Sequence, residues 1–225
     1  MRRLGLVAAV VILALLLVGG YTVSAGAAVY QDLDGGRNAL VAAQATMTTA
    51  ASSGDEAELQ SAAAQLKVAE QHFNHARDRS ATDPMLALAA RIPGADRQLQ
   101  ASTHLAAIGA DLSRAGEGAA AVAIQLAGLK QKYAGRTLTA DDLQAVLQEA
   151  QVIAQTYKAS IQAITQQLGA AHAERAQVDT SPLLGPLRDA YGAVDRALGE
   201  ADTSFRRYQD VRQVLSDFLG VQLPA

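Results

Sequence analysis

Apolar residues recur three and four positions apart along most of this chain, and that spacing admits little besides helices laid side by side. Between residues 56 and 79 they fall at Leu59, Ala62, Leu66, Ala69, Phe73 and Ala76. From 95 to 133 they are Leu105, Ile108, Leu112, Ala115, Ala119, Val122, Leu126, Leu129 and Tyr133. A third run holds Leu143, Leu147, Ala150, Ala154, Tyr157, Ile161, Ile164 and Leu168. The last holds Leu187, Tyr191, Val194, Leu198, Ala201, Phe205, Tyr208, Leu215 and Leu219, with Val211 taking over where Arg212 interrupts. Such spacing draws one narrow apolar stripe along each helix. No segment shows strand alternation bounded by turns. An Ala-rich composition with 4% aromatics and no Trp agrees with helix.

A stripe of this kind does not stay in water, because each buried Leu contributes about 1.5–3 kcal/mol. Short connections make neighbouring helices antiparallel. The expected fold is therefore all-α: an N-terminal transmembrane helix followed by an elongated antiparallel bundle of long amphipathic helices. A charge at Leu126 or Leu147 is expected to cost several kcal/mol if these seams are correctly placed.

The punctuation divides the chain further. Asp34-Gly35-Gly36 is expected to break it, with a helix from Arg37 to Ser52 beyond, either separate or continuing the first. Ser53-Gly54-Asp55-Glu56 reads as a capping box in which Ser53 and Glu56 satisfy each other's amides. Asp83-Pro84 starts a short helix that Pro93-Gly94 stops. Gly116 and Gly118 mark a weak point or kink inside the 95–133 helix. Gly135 closes that helix, Thr139 to Asp142 cap the next, and Asp179 to Pro182 form a turn.

The N-terminus sets location. Arg2 and Arg3 precede an apolar run from Leu4 to Val18 that stays uncharged through Tyr30, the next charge being Asp32. A bilayer core takes about 20 helical residues to cross, and the positive flank keeps the N-terminus cytoplasmic. The expected organisation is a cytoplasmic stub at 1–3, a signal-anchor and juxtamembrane segment at 4–30, and an extracytoplasmic bundle at 31–225. The rival is a cleaved signal peptide ending at Ala25-Gly26-Ala27 and a secreted product. The absence of Cys excludes a lipoprotein and a disulfide framework.

Little chemistry is visible. The formal net charge is −3, and it becomes −5 once Arg2 and Arg3 are set aside, which argues against a nucleic-acid partner. His72, His75 and Asp78 are spaced to put metal-type ligands on one helix face, but solvated polar positions explain them more simply. His104 and His172 stand outside any catalytic motif. Asp141-Asp142 suits a helix start, and Arg206-Arg207 suits a solvated face better than an anion site. No phosphate loop, nucleophile elbow or zinc-protease signature is present. No enzyme, cofactor, metal or small-molecule substrate is expected.

Two segments carry a resemblance. One runs Asp83-Pro84-Met85-Leu86-Ala87-Leu88-Ala89-Ala90-Arg91-Ile92-Pro93-Gly94-Ala95-Asp96, the other Ser181-Pro182-Leu183-Leu184-Gly185-Pro186-Leu187-Arg188-Asp189-Ala190. In motif, order and spacing the chain resembles the helical N-terminal region of bacterial membrane-anchored proteins whose C-terminal half is a domain of unknown function, number four-zero-one-two. Arg-rich, Lys-poor, Ala-rich usage fits a GC-rich bacterial genome. Where that family enters its C-terminal domain, this chain reads Phe218-Leu219-Gly220-Val221-Gln222-Leu223-Pro224-Ala225. That implies a free-standing form of the helical region or a truncated product, and the resemblance supplies no catalytic residues.

The function expected is a non-enzymatic spacer or protein-interaction module of the bacterial cell envelope. Its partners would be membrane lipid, through the N-terminal helix, and a protein or a second copy. Phe218, Leu219, Val221 and Leu223 are the candidate partner contacts. A ligand-sensing ectodomain acting through a partner is the alternative.

Overall fold

The computed structural model describes residues 2–53, 55–133 and 140–208. Side chains are described from Ala25 on, apart from residues 51–52, 129–130, 133, 140–147, 150–151, 153–154, 156, 204 and 207–208. Six helices make up this part: α1 (Arg2–Ser53), α2 (Glu56–Thr82), α3 (Pro84–Ala89), α4 (Ala95–Tyr133), α5 (Ala140–Gln177) and α6 (Gly185–Tyr208). At 1.5 Å per residue α1 extends about 78 Å and α4 about 58 Å. The expected all-α class holds.

Register is set by size. α2 packs against both α1 and α4, and its large side chains meet small ones on each. Phe73 fits against Gly36 of α1 and Gly109 of α4, where an added methyl would stand 2.9 and 2.5 Å from the ring. One heptad earlier, Leu66 clusters with Ala43 and Ala120, and it covers Gly116, where a methyl would meet it at 2.8 Å. A further heptad back, Leu59 clusters with Ala50 and Ala127. At the other end of this row Ser80 faces Ser102, their hydroxyl oxygens 3.4 Å apart. The row on α2 and the facing rows of α1 and α4 therefore keep step over three heptads, as antiparallel coiled-coil neighbours do.

That packing corrects one expectation and gives a second pair of glycines a role. Asp34-Gly35-Gly36 does not break the chain: α1 runs through it. Each Gly costs a helix about 1 kcal/mol relative to Ala, but here the missing Cβ atoms let His72 and Phe73 lie directly on the α1 backbone. Gly116 and Gly118 likewise sit inside an uninterrupted α4, leaving room for Leu66 of α2 and Ile164 of α5.

α4 is the shared wall of two units, one with α1, α2 and α3 and the other with α5 and α6, and it buries more than one stripe, another departure from expectation. On one side α1, α2 and α3 enclose Val29, Leu33, Phe73, Leu86, Ala106 and Ala110. On the other, α5 and α6 close over Leu105, Ile108 and Leu112 with Ile164, Leu168 and Leu198. Leu187 touches both clusters. Leu126, expected on the seam, is buried; the side chain of Leu147 lies outside the described residues.

The helix ends are capped in part as expected, although α3 ends at Ala89, ahead of the expected stop at Pro93-Gly94. Asp83 serves two helices, donating its N–H to Arg79 O at the end of α2 and accepting from the amides of Met85 and Leu86 at the start of α3. Gly94 supplies the left-handed turn (φ +89) before α4. The capping box at the start of α2 is shifted: Asp55 is the cap, accepting from Ala57 N at 2.8 Å and Glu58 N at 3.3 Å. Ser53 instead accepts from Asp55 N. A carboxylate one residue from the first turn reaches two amides at once, which the Ser53 hydroxyl does not. In the turn before α6, Asp179 accepts from the amide and hydroxyl of Ser181. Gln98 pins that turn to α4, donating to Pro182 O and accepting from Leu184 N.

Gly135, Thr139, Val211, Arg212 and everything from residue 209 on lie outside the described residues, as do the side chains of Asp141 and Asp142. Among the described residues no helix is long and apolar enough to cross a membrane. Arg2, Arg3 and the apolar run Leu4–Tyr21 belong to the part of α1 whose side chains are not described.

Candidate functional site

The polar residues of α4 converge on a seam between α2 and α5. Arg114 is its hub. Its Nε donates to Glu70 of α2 at 2.7 Å, and one terminal nitrogen donates to Asp111 at 2.8 Å and to Gln167 of α5 at 3.2 Å. About three helical turns away along α4, His104 Nδ1 lies 2.6 Å from Glu174 of α5. Asp111 is buried and Ser113 fully so, the hydroxyl of Ser113 donating to Gly109 O.

The electrostatics follow from burial. Loss of solvent raises the Asp111 carboxyl above its ordinary value, Arg114 opposing this and Glu174 adding to it. Glu117, one turn beyond Arg114, is also raised, first by burial and then by Glu70. One of its oxygens is buried without a hydrogen bond. A buried carboxylate without a partner opposes folding, whereas Arg114, with its acceptors on three helices, ties α2, α4 and α5 together. Its Nε and one terminal nitrogen are committed to the protein, so the seam reads as a clasp between helices more than as an anion site.

The histidines do not assemble a metal site. His72 lies across Gly35 and faces Asp32 of α1, Nδ1 to Oδ1 3.6 Å. The other Asp32 oxygen is 3.0 Å from Arg79 Nε but not aligned for a hydrogen bond. His75 is exposed, and Asp78 stands beside Arg77. No group of three or more metal-type ligands converges among the described residues.

His172 and Asp202 meet at 2.9 Å on the wall of an open groove of about 350 Å³ between α5 and α6. Thr165, Leu168, Gly169, Phe205 and Arg206 complete it. Arg206 is exposed, and its Nε donates back to Asp202 O; the side chain of Arg207 lies outside the described residues, as do Phe218, Leu219, Val221 and Leu223.

Sequence reasoning placed His104 and His172 apart from any site, yet each pairs with a carboxylate. It did not single out Asp111, Arg114, Glu70 or Glu174. The one available signal was the row His104, Asp111, Arg114 and Glu117, polar residues recurring along one side of a helix whose other sides are apolar. Compared with known proteins, the chain matches no family model, no curated protein and no solved structure.

Proposed function

We propose that this chain is a non-enzymatic, membrane-anchored helical module whose bundle projects from the outer face of a bacterial membrane and engages a protein partner or a second copy. The observation that carries this reading is the continuity of α1. The same helix that begins Arg2-Arg3 and holds the Leu4–Val18 run becomes, without a joint, the first wall of the bundle. An anchor continued in this way transmits its orientation directly to the bundle, which suits a spacer. The resemblance to membrane-anchored helical regions supports the same reading.

Topology is testable because the chain has no Cys. With Gln60, an exposed position on α2, replaced by Cys, a membrane-impermeant maleimide is expected to label intact spheroplasts. Labelling only after permeabilisation would place the bundle inside and end the proposal. Deleting residues 216–225 is expected to abolish capture of the partner; unchanged capture would remove the C-terminal contact.

The groove beside His172 and Asp202 supports a second reading, a ligand-sensing ectodomain acting through a partner. Native mass spectrometry showing a bound small molecule, lost in Phe205→Ala, would favour it.

A further inference from the structure

We propose that the end of the bundle from which α1 departs is seated in the outer interface of the membrane, with Leu88, Ile92 and Leu184 at the boundary of headgroups and acyl chains. This rests on the reading of α1 as a retained anchor.

Three observations bring these residues to one place. Leu86 of α3 shares a cluster with Val29 of α1, and Ala25 packs on that cluster, so the connection through α3 reaches the level of Ala25. Ile92 O accepts from Ala95 N at the start of α4. One turn on, Gln98 grips the 182–184 turn on both sides. Leu88, Ile92 and Leu184 are nevertheless 47%, 61% and 65% exposed, while their neighbours Leu86 and Leu183 are buried. Two short connections thus each hold an aliphatic side chain in solvent on the same end of the molecule. Three exposed aliphatic side chains on one end of the molecule make that end the candidate for an interaction surface.

The length of α1 identifies what covers them. From Leu4 to Ala25 the helix rises about 33 Å, against about 30 Å for the hydrocarbon core. With that run in the bilayer, the bundle begins where the acyl chains end. Tyr30, half exposed, then falls about 7.5 Å further along α1, in the layer where interfacial tyrosines collect. Charge does not select the surface: Arg91 and Arg97 stand among Asp83, Asp96 and Asp179. The contact is therefore apolar and insensitive to anionic lipid.

The chain contains no Trp, so Ile92→Trp and Leu184→Trp each give a unique probe in the full chain. The control is Val41→Trp, exposed on α1 about 24 Å beyond the proposed interface. In vesicles of phosphatidylcholine brominated near the headgroup, the two end probes are expected to emit to the blue of the control. Bromolipid should quench them severalfold more, unchanged by high salt or by added phosphatidylglycerol. Equal quenching of all three in chains that float with the vesicles overturns the seat and leaves the anchor standing. A blue shift without bromolipid quenching, growing with protein-to-lipid ratio, assigns this end to a second copy and also overturns it. A chain that does not float overturns seat and anchor together.

Discussion

The two units that share α4 are packed by different rules. Along the row shared by α1, α2 and α4 the knobs that meet small residues come from α2: Leu59, Leu66 and Phe73 press on Ala50, Ala43 and Gly36, and on Gly116 and Gly109, while Val29 and Leu33 of α1 add bulk at one end. Between α4, α5 and α6 both sides bring large residues, with Leu105, Ile108 and Leu112 against Ile164, Leu168 and Leu198. Polar pairs trim that second unit, His104 with Glu174, His172 with Asp202 and Arg175 with Asp195. Small residues on two walls bring helix axes close and leave no slack for an added methyl. Large residues on both walls hold the axes further apart and repack more readily. The first unit is therefore expected to tolerate an added methyl less well, and it is the one built on the helix that carries the N-terminal apolar run.

Removing the knob should produce the largest effect. Phe73→Ala empties the space between Gly36 and Gly109 and is expected to cost about 3–5 kcal/mol, measured by denaturant unfolding. A cost below that of Leu198→Ala, the most buried leucine of α6, would show that the second unit governs stability instead.

Filling the hole comes next. Gly109→Ala puts a methyl 2.5 Å from the Phe73 ring and is expected to destabilise by about 1–3 kcal/mol, although Ala is the better helix former. Pairing it with Phe73→Leu should recover part of the loss. In the second unit Gly199 has nothing within 4 Å of an added Cβ, so Gly199→Ala is expected to stabilise by about 0.5–1 kcal/mol. The same substitution with opposite signs in the two units is the sharpest form of the contrast. Equal signs would dissolve it.

The smallest effect is on the polar seam. Burial and Glu70 raise the Glu117 carboxyl in the folded chain. Its contribution to stability is therefore full below the ordinary glutamate value of 4.5 and lost as pH rises through the higher folded value. Glu117→Gln, neutral throughout, is expected to raise the melting temperature at pH 7, and the gain should vanish below pH 4.5. A gain that persists in acid would mean that packing, not charge, is responsible.

Some of this was legible in the residues and some was not. The six apolar positions of α2 are all buried where spacing placed them, because that periodicity is a local property. The bounds of α4 follow from Gly94 before it and its own stripe. The role of Gly36 and Gly109 was not legible, since it depends on Phe73, some forty residues from either. A glycine pair alone reads as a break, and only the ring laid on it makes it a notch. The Arg114 clasp was hidden for the same reason: its acceptors Glu70 and Gln167 come from separate helices. His104 found its carboxylate seventy positions away.

What these observations share is one continuous helix, α1, that becomes a wall of the bundle, and the proposed function reads its N-terminal part as a membrane anchor. The intact mass of the protein recovered from alkali-washed membranes tests that most directly. The account predicts the full chain of 23.4 kDa in the membrane pellet. A species in the soluble fraction lacking the residues up to Ala27 would contradict it.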